Sequence, residues 1–364
     1  MKLFEIIATL EELAPLAYAE DFDNVGLLVG NQNETINGIL VCHDALESVI
    51  DEAISKKCNL VVCFHPILFS GLKKITGKNY VERAIIKAIK NDIAIYAIHT
   101  ALDNHQQGVN KIFSNAIGLE NTKILVPKEN FIKKLVTYTV SENVVALRNA
   151  LFEAGAGKIG NYEDCSFSSS GTGTYLGNEN SNPKIGARFE FVENTEIKIE
   201  VTFEKHLESK ILAALFKNHV YEEVAYELYH LTNKHQNIGL GMIGEFTEAK
   251  SEVDFLQHIK EKMQCGGIRH SAFIHKKIKK VAVLGGSGSF AIKAALHAGA
   301  DAFITADLKY HQFYEAEGKL LLADIGHFES ERYTKNYIVD YLKEKITNFA
   351  VVLSEENTNP VQYF

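Results

Sequence analysis

The sequence predicts an α/β protein in which a duplicated α/β outer domain is interrupted by an inserted ferredoxin-like α+β domain. Short apolar runs alternate with amphipathic helical stretches at both ends of the chain. The two ends can be laid over each other with no gap in their first unit. The stretch between them lacks that repeat and has an element order of its own. An apolar fraction of 46% over 364 residues is enough to fill cores of this size.

In the first half, 1–126, ILVC (39–42) is a strand that ends near Asp44. Leu46, Val49, Ile50, Ala53 and Ile54 then fall on one helical face, with Asp44 and Glu47 as a capping pair. LVVCF (60–64) is the next strand. Val81, Ala84, Ile85, Ala88 and Ile89 mark a further helix, and IAIYAI (93–98) a third strand. The second half, 238–364, repeats this plan. VAVL (281–284) leads through GGSGS into a helix that Gly299 ends, followed by the strands AFIT (302–305) and LLLADI (320–325) and a last helix with Ile338, Tyr341, Leu342 and Ile346. In the overlay Val41 matches Val283, Val62 matches Ile304, and His65 matches Asp307.

The middle, 127–237, reads differently. A strand at 133–140, a helix at 143–154, the DCSFSSSG stretch with its turn, a strand at 197–203, a helix at 206–219 and a strand at 222–231 give β-α-β-β-α-β. That is the ferredoxin-like order.

Candidate chemistry sits at strand ends. His65 closes a buried run, and Pro66 keeps it out of a following helix. Ligand sites of open α/β sheets lie beyond the carboxyl ends of strands, although a lone histidine there is as readily structural. Each half next offers a strand followed by His-x-x-x-carboxylate: His99 with Asp103, and His327 with Glu331. In a helix both members of such a pair point to one side. One pair is commonly a solvated surface pair; two in matched places of a repeat converge on His65 if the halves face each other. Imidazole and carboxylate suit zinc, manganese, iron or nickel without choosing among them.

Other readings stay open. From Gly286, GGSGS fits G-x-G-x-x-A, with Asp307 about twenty residues on, as in dinucleotide sites; the plainer alternative is a tight turn that approaches something closely. His43, His105 and His311 read as surface or supporting groups. The five cysteines are odd in number and none is spaced C-x-x-C, which argues against a disulfide framework or a thiolate zinc ribbon. The net charge of -8 argues against a nucleic-acid partner. The N-terminus does not read as a signal peptide, and no apolar run is long enough to span a membrane, so a cytoplasmic location is expected.

At these residues the chain resembles the GTP cyclohydrolase 1 type 2 homolog family, the NIF-three-like dinuclear-metal proteins. AEDFDNVGLLVG (19–30) is similar to its Asp-Asn-x-Gly-Leu-x-x-Gly signature. HPILF (65–69), HTALDN (99–104), GMIGEF (241–246), VAVLGGSGS and DIGHFESE (324–331) match in order, so the resemblance covers essentially the whole chain. It implies one or two divalent ions per chain, His65 and Asp103 holding one, His327 the other and Glu331 bridging. His99 is an additional ligand or a proton-transfer group. It further implies a toroidal homohexamer and a PII- or CutA-like middle domain. The activity implied is that of a metal-dependent hydrolase or cyclohydrolase on a nucleotide-like or heterocyclic small molecule, with a non-catalytic metal-binding or regulatory scaffold as the alternative. One departure bears on the ion count: many members have His-His-Pro where this chain has Phe64-His65-Pro66. Phe64 cannot ligate a metal, which leaves the second ion short of a partner unless His99 or His43 supports it.

Overall fold

Parallel strands with almost no exposed residue lie at the centre of each end of the chain. In the computed structural model, which describes residues 1–364, the first end holds α1 (Leu3–Leu13), β1 (Gly26–Val29), β2 (Gly38–Asp44), α2 (Glu47–Ser55), β3 (Leu60–His65), α3 (Tyr80–Lys90), β4 (Ala94–Ala97), α4 (His99–Asp103), α5 (Val109–Ile117) and β5 (Glu120–Pro127). The middle holds β6 (Ile132–Thr139), α6 (Val144–Glu153), β7 (Phe167–Leu176), β8 (Phe191–Glu204), α7 (Glu208–Asn218) and β9 (Tyr226–Leu231). The second end holds β10 (Gly239–Lys250), α8 (Glu252–Met263), β11 (Arg269–His270), β12 (Ile278–Ser287), α9 (Ile292–His297), β13 (Ala302–Ala306), β14 (Leu321–Asp324), α10 (His327–Glu331), α11 (Thr334–Lys345) and β15 (Ala350–Leu353). Two compact units result, Met1–Val126 with Asn237–Phe364, and Pro127–Gln236.

The outer unit contains a five-stranded sheet, β1-β4-β3-β2-β15, and a six-stranded sheet, β11-β14-β13-β12-β10-β5. β2, β3 and β4 run parallel, as do β12, β13 and β14. Helices cover both faces of the first sheet, which is why its strands read as continuous apolar runs. Leu3, Ile6 and Leu10 of α1 lie on one face, and Val49, Ile50 and Ala53 of α2 with Ala84 and Ala88 of α3 lie on the other. The residues matched in the sequence repeat also match in register: Val41 pairs with Val62, and Val283 with Ile304.

The two ends interlock. β15 adds itself beside β2, and Ile338, Val339 and Leu342 of α11 sit in the core of the first sheet. In exchange β5 edges the second sheet, and Phe113 and Ile117 of α5 pack in its core. This exchange brings the carboxyl ends of β2 and β3 to the carboxyl ends of β12, β13 and β14.

The expected cap of α2 is corrected here. Leu46 is the N-cap residue and no side chain caps the helix. Asp44 is the last residue of β2, in register with His65, and its carboxylate turns to that imidazole instead.

The middle unit has one antiparallel sheet in the order β7-β8-β6-β9. Leu147 and Leu151 of α6, and Ile211 and Leu215 of α7, pack on Leu135, Ile199 and Val201 to make its separate core.

Candidate metal centre

His65 ends β3, and His327 and Glu331 open and close α10, one turn apart. The interlocked ends bring these three together, with one ligand atom from each within 4.8 Å of the others. Glu331 Oε2 lies 3.2 Å from His65 Nε2 and 3.4 Å from His327 Nε2. The His65 ring is 5.4 Å from that of His327 and 5.3 Å from that of His99, centroid to centroid.

Each of the three imidazoles is held at its other nitrogen by a carboxylate. His65 Nδ1 donates to Asp44 Oδ1 at 3.0 Å, His327 Nδ1 to Asp307 Oδ2 at 2.7 Å, and His99 Nδ1 to Asp23 Oδ1 at 2.9 Å. This arrangement fixes the tautomer and leaves Nε2 for a cation, as carboxylate–histidine–metal triads do. The carboxylates are themselves positioned. The Thr358 hydroxyl donates to Asp44 Oδ2 at 2.6 Å, and the Thr100 amide to Asp23 Oδ2 at 3.1 Å. Asp307 follows β13 with a left-handed φ of 58°, a conformation aspartate tolerates better than most residues.

Asp103 closes α4, half-buried with its Oδ1 turned inward, and it feels Glu331, His65, Asp23 and His327 electrostatically. Its Oδ1, His65 Nε2 and Glu331 Oε2 are buried without a hydrogen-bond partner. Orphaned buried polar atoms cost roughly 1–3 kcal/mol each, more when charged. A divalent cation would satisfy three of them at once, so the donor set fits a metal.

The charges follow. Burial works against the charged form of His65, but Glu331 and then Asp44 override it and raise the imidazole to about 10. Burial likewise opposes protonation of His327, which Asp307 and Glu331 raise. Burial, and then the Glu331 charge, push Asp103 well above the usual carboxylate range. Against its own burial, Glu331 is held low by His65 and His327. Without a cation, protons therefore occupy this cluster.

The structure also revises the supporting residues. His43, expected at the surface or in a supporting role, is 2% exposed, and burial lowers it to about 4. Its Nε2 lies 3.3 Å from the Arg332 carbonyl. Phe64 is fully buried, with its ring edge-on to His99 at 5.5 Å and to His43 at 6.3 Å. The His105 ring stacks beside Tyr18, and the His311 ring lies edge-on to Tyr310. The GGSGS turn is the plainer of its two readings. The Gly285 amide donates to Asn110 Oδ1 and the Gly286 amide to Ser330 Oγ, so neither is free for a pyrophosphate. Gly286 has φ 68°, and a Cβ there would stand 2.6 Å from Glu331 Oε1. The close approach is to the cluster itself, and Asp307 is engaged by His327 rather than by a ribose.

Asp23, Asp44 and Asp307 were not read from the sequence as histidine partners. Two signals pointed to the last two: Asp44 and Asp307 stand at strand ends, and Asp307 is the repeat equivalent of His65.

The chain has relatives that match it over nearly its whole length. The chain is 37% identical over 365 residues to the GTP cyclohydrolase 1 type 2 homolog of Bacillus subtilis (strain 168), covering 99% of this chain and 98% of that one. It is 38% identical over 366 residues to the protein of the same name in Halalkalibacterium halodurans, covering 98% of each. The solved Bacillus cereus protein related to NIF3 superposes with a TM-score of 0.85 at 35% identity, covering 100% of this chain and 99% of that one. Residues 1–360 match Duf34/NIF3 (NGG1p interacting factor 3), and the chain belongs to that family.

Proposed function

We propose that the chain binds one or two divalent metal ions through His65, Asp103, His327 and Glu331 and hydrolyses a small nucleotide-like or heterocyclic substrate beside them. The observation that carries this reading is the convergence of buried His65 Nε2 and Glu331 Oε2, 3.2 Å apart with no hydrogen bond to satisfy either, and of the buried, unbonded Asp103 Oδ1. When bound, a divalent ion supplies Lewis acidity and makes water nucleophilic near neutral pH. The chain supplies the rest. Glu331 Oε2, between two imidazoles, is placed to be shared. Asp44 and Asp307 keep His65 and His327 oriented. His99, anchored by Asp23, is an additional ligand or takes up a proton at Nε2. A cavity of about 440 Å3 opens beside His65, His327 and Glu331, which suits a small molecule. The name carried by the relatives points to a GTP-like substrate.

We further infer a homohexamer from the family resemblance, a cytoplasmic location from the sequence, and a ferredoxin-like, PII- or CutA-like insertion. The β-α-β-β-α-β order and the β7-β8-β6-β9 sheet support the insertion's assignment. No helix is long and apolar enough to cross a membrane. A non-catalytic metal-binding scaffold is the second reading. It is favoured by the insertion, a large unit with its own core.

Elemental analysis of gently purified protein, followed by a turnover screen on nucleotides and pterin-like rings, separates the two. Turnover abolished by Glu331→Ala supports the hydrolase. Tight metal binding with no turnover supports the scaffold, and protein that takes up no divalent ion rejects both. Phe64→His, which restores the common His-His-Pro, should raise the ions per chain.

A further inference from the structure

Two cavities meet at Arg269. One, of about 440 Å3, opens from the metal cluster; the other, of about 610 Å3, runs past Tyr310, Phe313 and Tyr314. Arg269 lines both and is the sole lysine or arginine on either wall. The rest of the cluster-facing wall carries acids, Asp44, Asp307, Glu329 and Glu331 among them.

The guanidinium is held in place. Its Nη2 donates to the Leu308 carbonyl at 2.5 Å and to Asp324. Asp324 is 6% exposed and is fixed by the Leu308 and Gly326 amides at 2.9 and 3.2 Å. The Arg269 guanidinium carbon lies 5.6 Å from the Phe313 ring centroid. Nε and Nη1 make no bond to the protein. A pinned guanidinium with spare donors is suited to an anion with several oxygens.

Beyond it stand Tyr310 and Tyr314, 71% and 66% exposed, with rings 5.6 Å apart and hydroxyls 2.9 Å apart. Exposed aromatic rings beside a phosphate-sized cation make a stacking platform.

We propose that the Arg269 corridor is a subsite for a planar heteroaromatic ring that bears a phosphate. The phosphate lies on Arg269, the ring stacks on one of Tyr310 and Tyr314 and meets the other edge-on, their planes being 83° apart, and the reacting end reaches the cluster. The inference deepens the metal-site reading and rests on it for the reacting end alone; binding at the corridor is measured apart from chemistry.

Calorimetric titration of the full chain with adenosine 5′-monophosphate, adenosine and ribose 5-phosphate tests it. The monophosphate should bind at least about tenfold more tightly than either fragment. Arg269→Gln should reduce its affinity to that of adenosine, and Tyr310→Ala/Tyr314→Ala to that of ribose 5-phosphate. If Arg269→Gln unfolds by losing the Asp324 contact, Arg269→Lys keeps a cation there and should weaken the monophosphate about tenfold. His327→Ala should lose metal, and in that background Arg269→Gln should still reduce monophosphate affinity to that of adenosine. A chain that takes up no metal yet shows this pattern sinks the metal reading and leaves the corridor standing. Equal affinities for the three probes, or monophosphate binding untouched by the corridor variants, overturn the proposal. So does a tyrosine variant whose mass in solution changes while its monophosphate affinity does not, since the patch then belongs to a second copy of this chain.

Discussion

An imidazole makes a reliable ligand when its second nitrogen is held, and Asp44, Asp307 and Asp23 each hold one. Asp44→Asn keeps the side-chain shape but removes the charge that faces His65 Nδ1. Its metal affinity should fall about 10–100-fold, as for other outer partners of metal ligands. Chelator-competition titration measures this, and an unchanged affinity would show that Asp44 does not support the site. Protons are the competing occupants. His65, raised to about 10, carries a proton at neutral pH that a metal must displace. Metal affinity should therefore rise with pH between 6 and 9, by about tenfold per unit for one displaced proton. In the metal-free protein the sign is opposite. A folded value above the ordinary 6.5 gives a stabilisation that is complete below 6.5 and lost as pH rises through about 10. The thermal stability of metal-free protein should accordingly fall from pH 7 to 10, and a flat profile would remove His65 from this role.

At the scale of an element, the β12–α9 turn shows how little a motif says without its surroundings. Its glycines resemble a nucleotide fingerprint, but their amides bond Asn110 and Ser330, and Gly286 gives room to Glu331. Gly286→Ala meets both the 68° φ and a 2.6 Å approach to Glu331 Oε1. It should lose stability by about 1–3 kcal/mol and bind metal more weakly. Paired melting curves and metal titrations check this, and a variant that matches the wild type in both would mean that the turn is not tightly fitted. The two short helices α4 and α10 illustrate the opposite case. Their His-x-x-x-carboxylate spacing was legible because one helical turn sets both side chains on one face.

At the scale of the whole molecule, the halves do not hold separate cores. α11 and β15 complete the first sheet, and α5 and β5 complete the second. Fragments 1–126 and 237–364 should stay unfolded when expressed singly and regain structure and metal when co-expressed, as read by circular dichroism and elemental analysis. Two fragments that each fold alone would contradict the interlock. The Pro127–Gln236 unit, by contrast, packs around its own residues.

The α/β class, the repeat, the different character of the middle and the ligand-type residues could all be read from the chain. Each depends on local periodicity or on spacing within one turn or strand, and such order is written in neighbouring residues. The histidine–aspartate pairs, the burial of His43 and the use of the GGSGS amides could not be read in this way. They join residues tens to hundreds of positions apart, and the exchange of β5 and β15 between sheets decides which of them meet. Proximity of that kind is a property of packing, which no local pattern encodes.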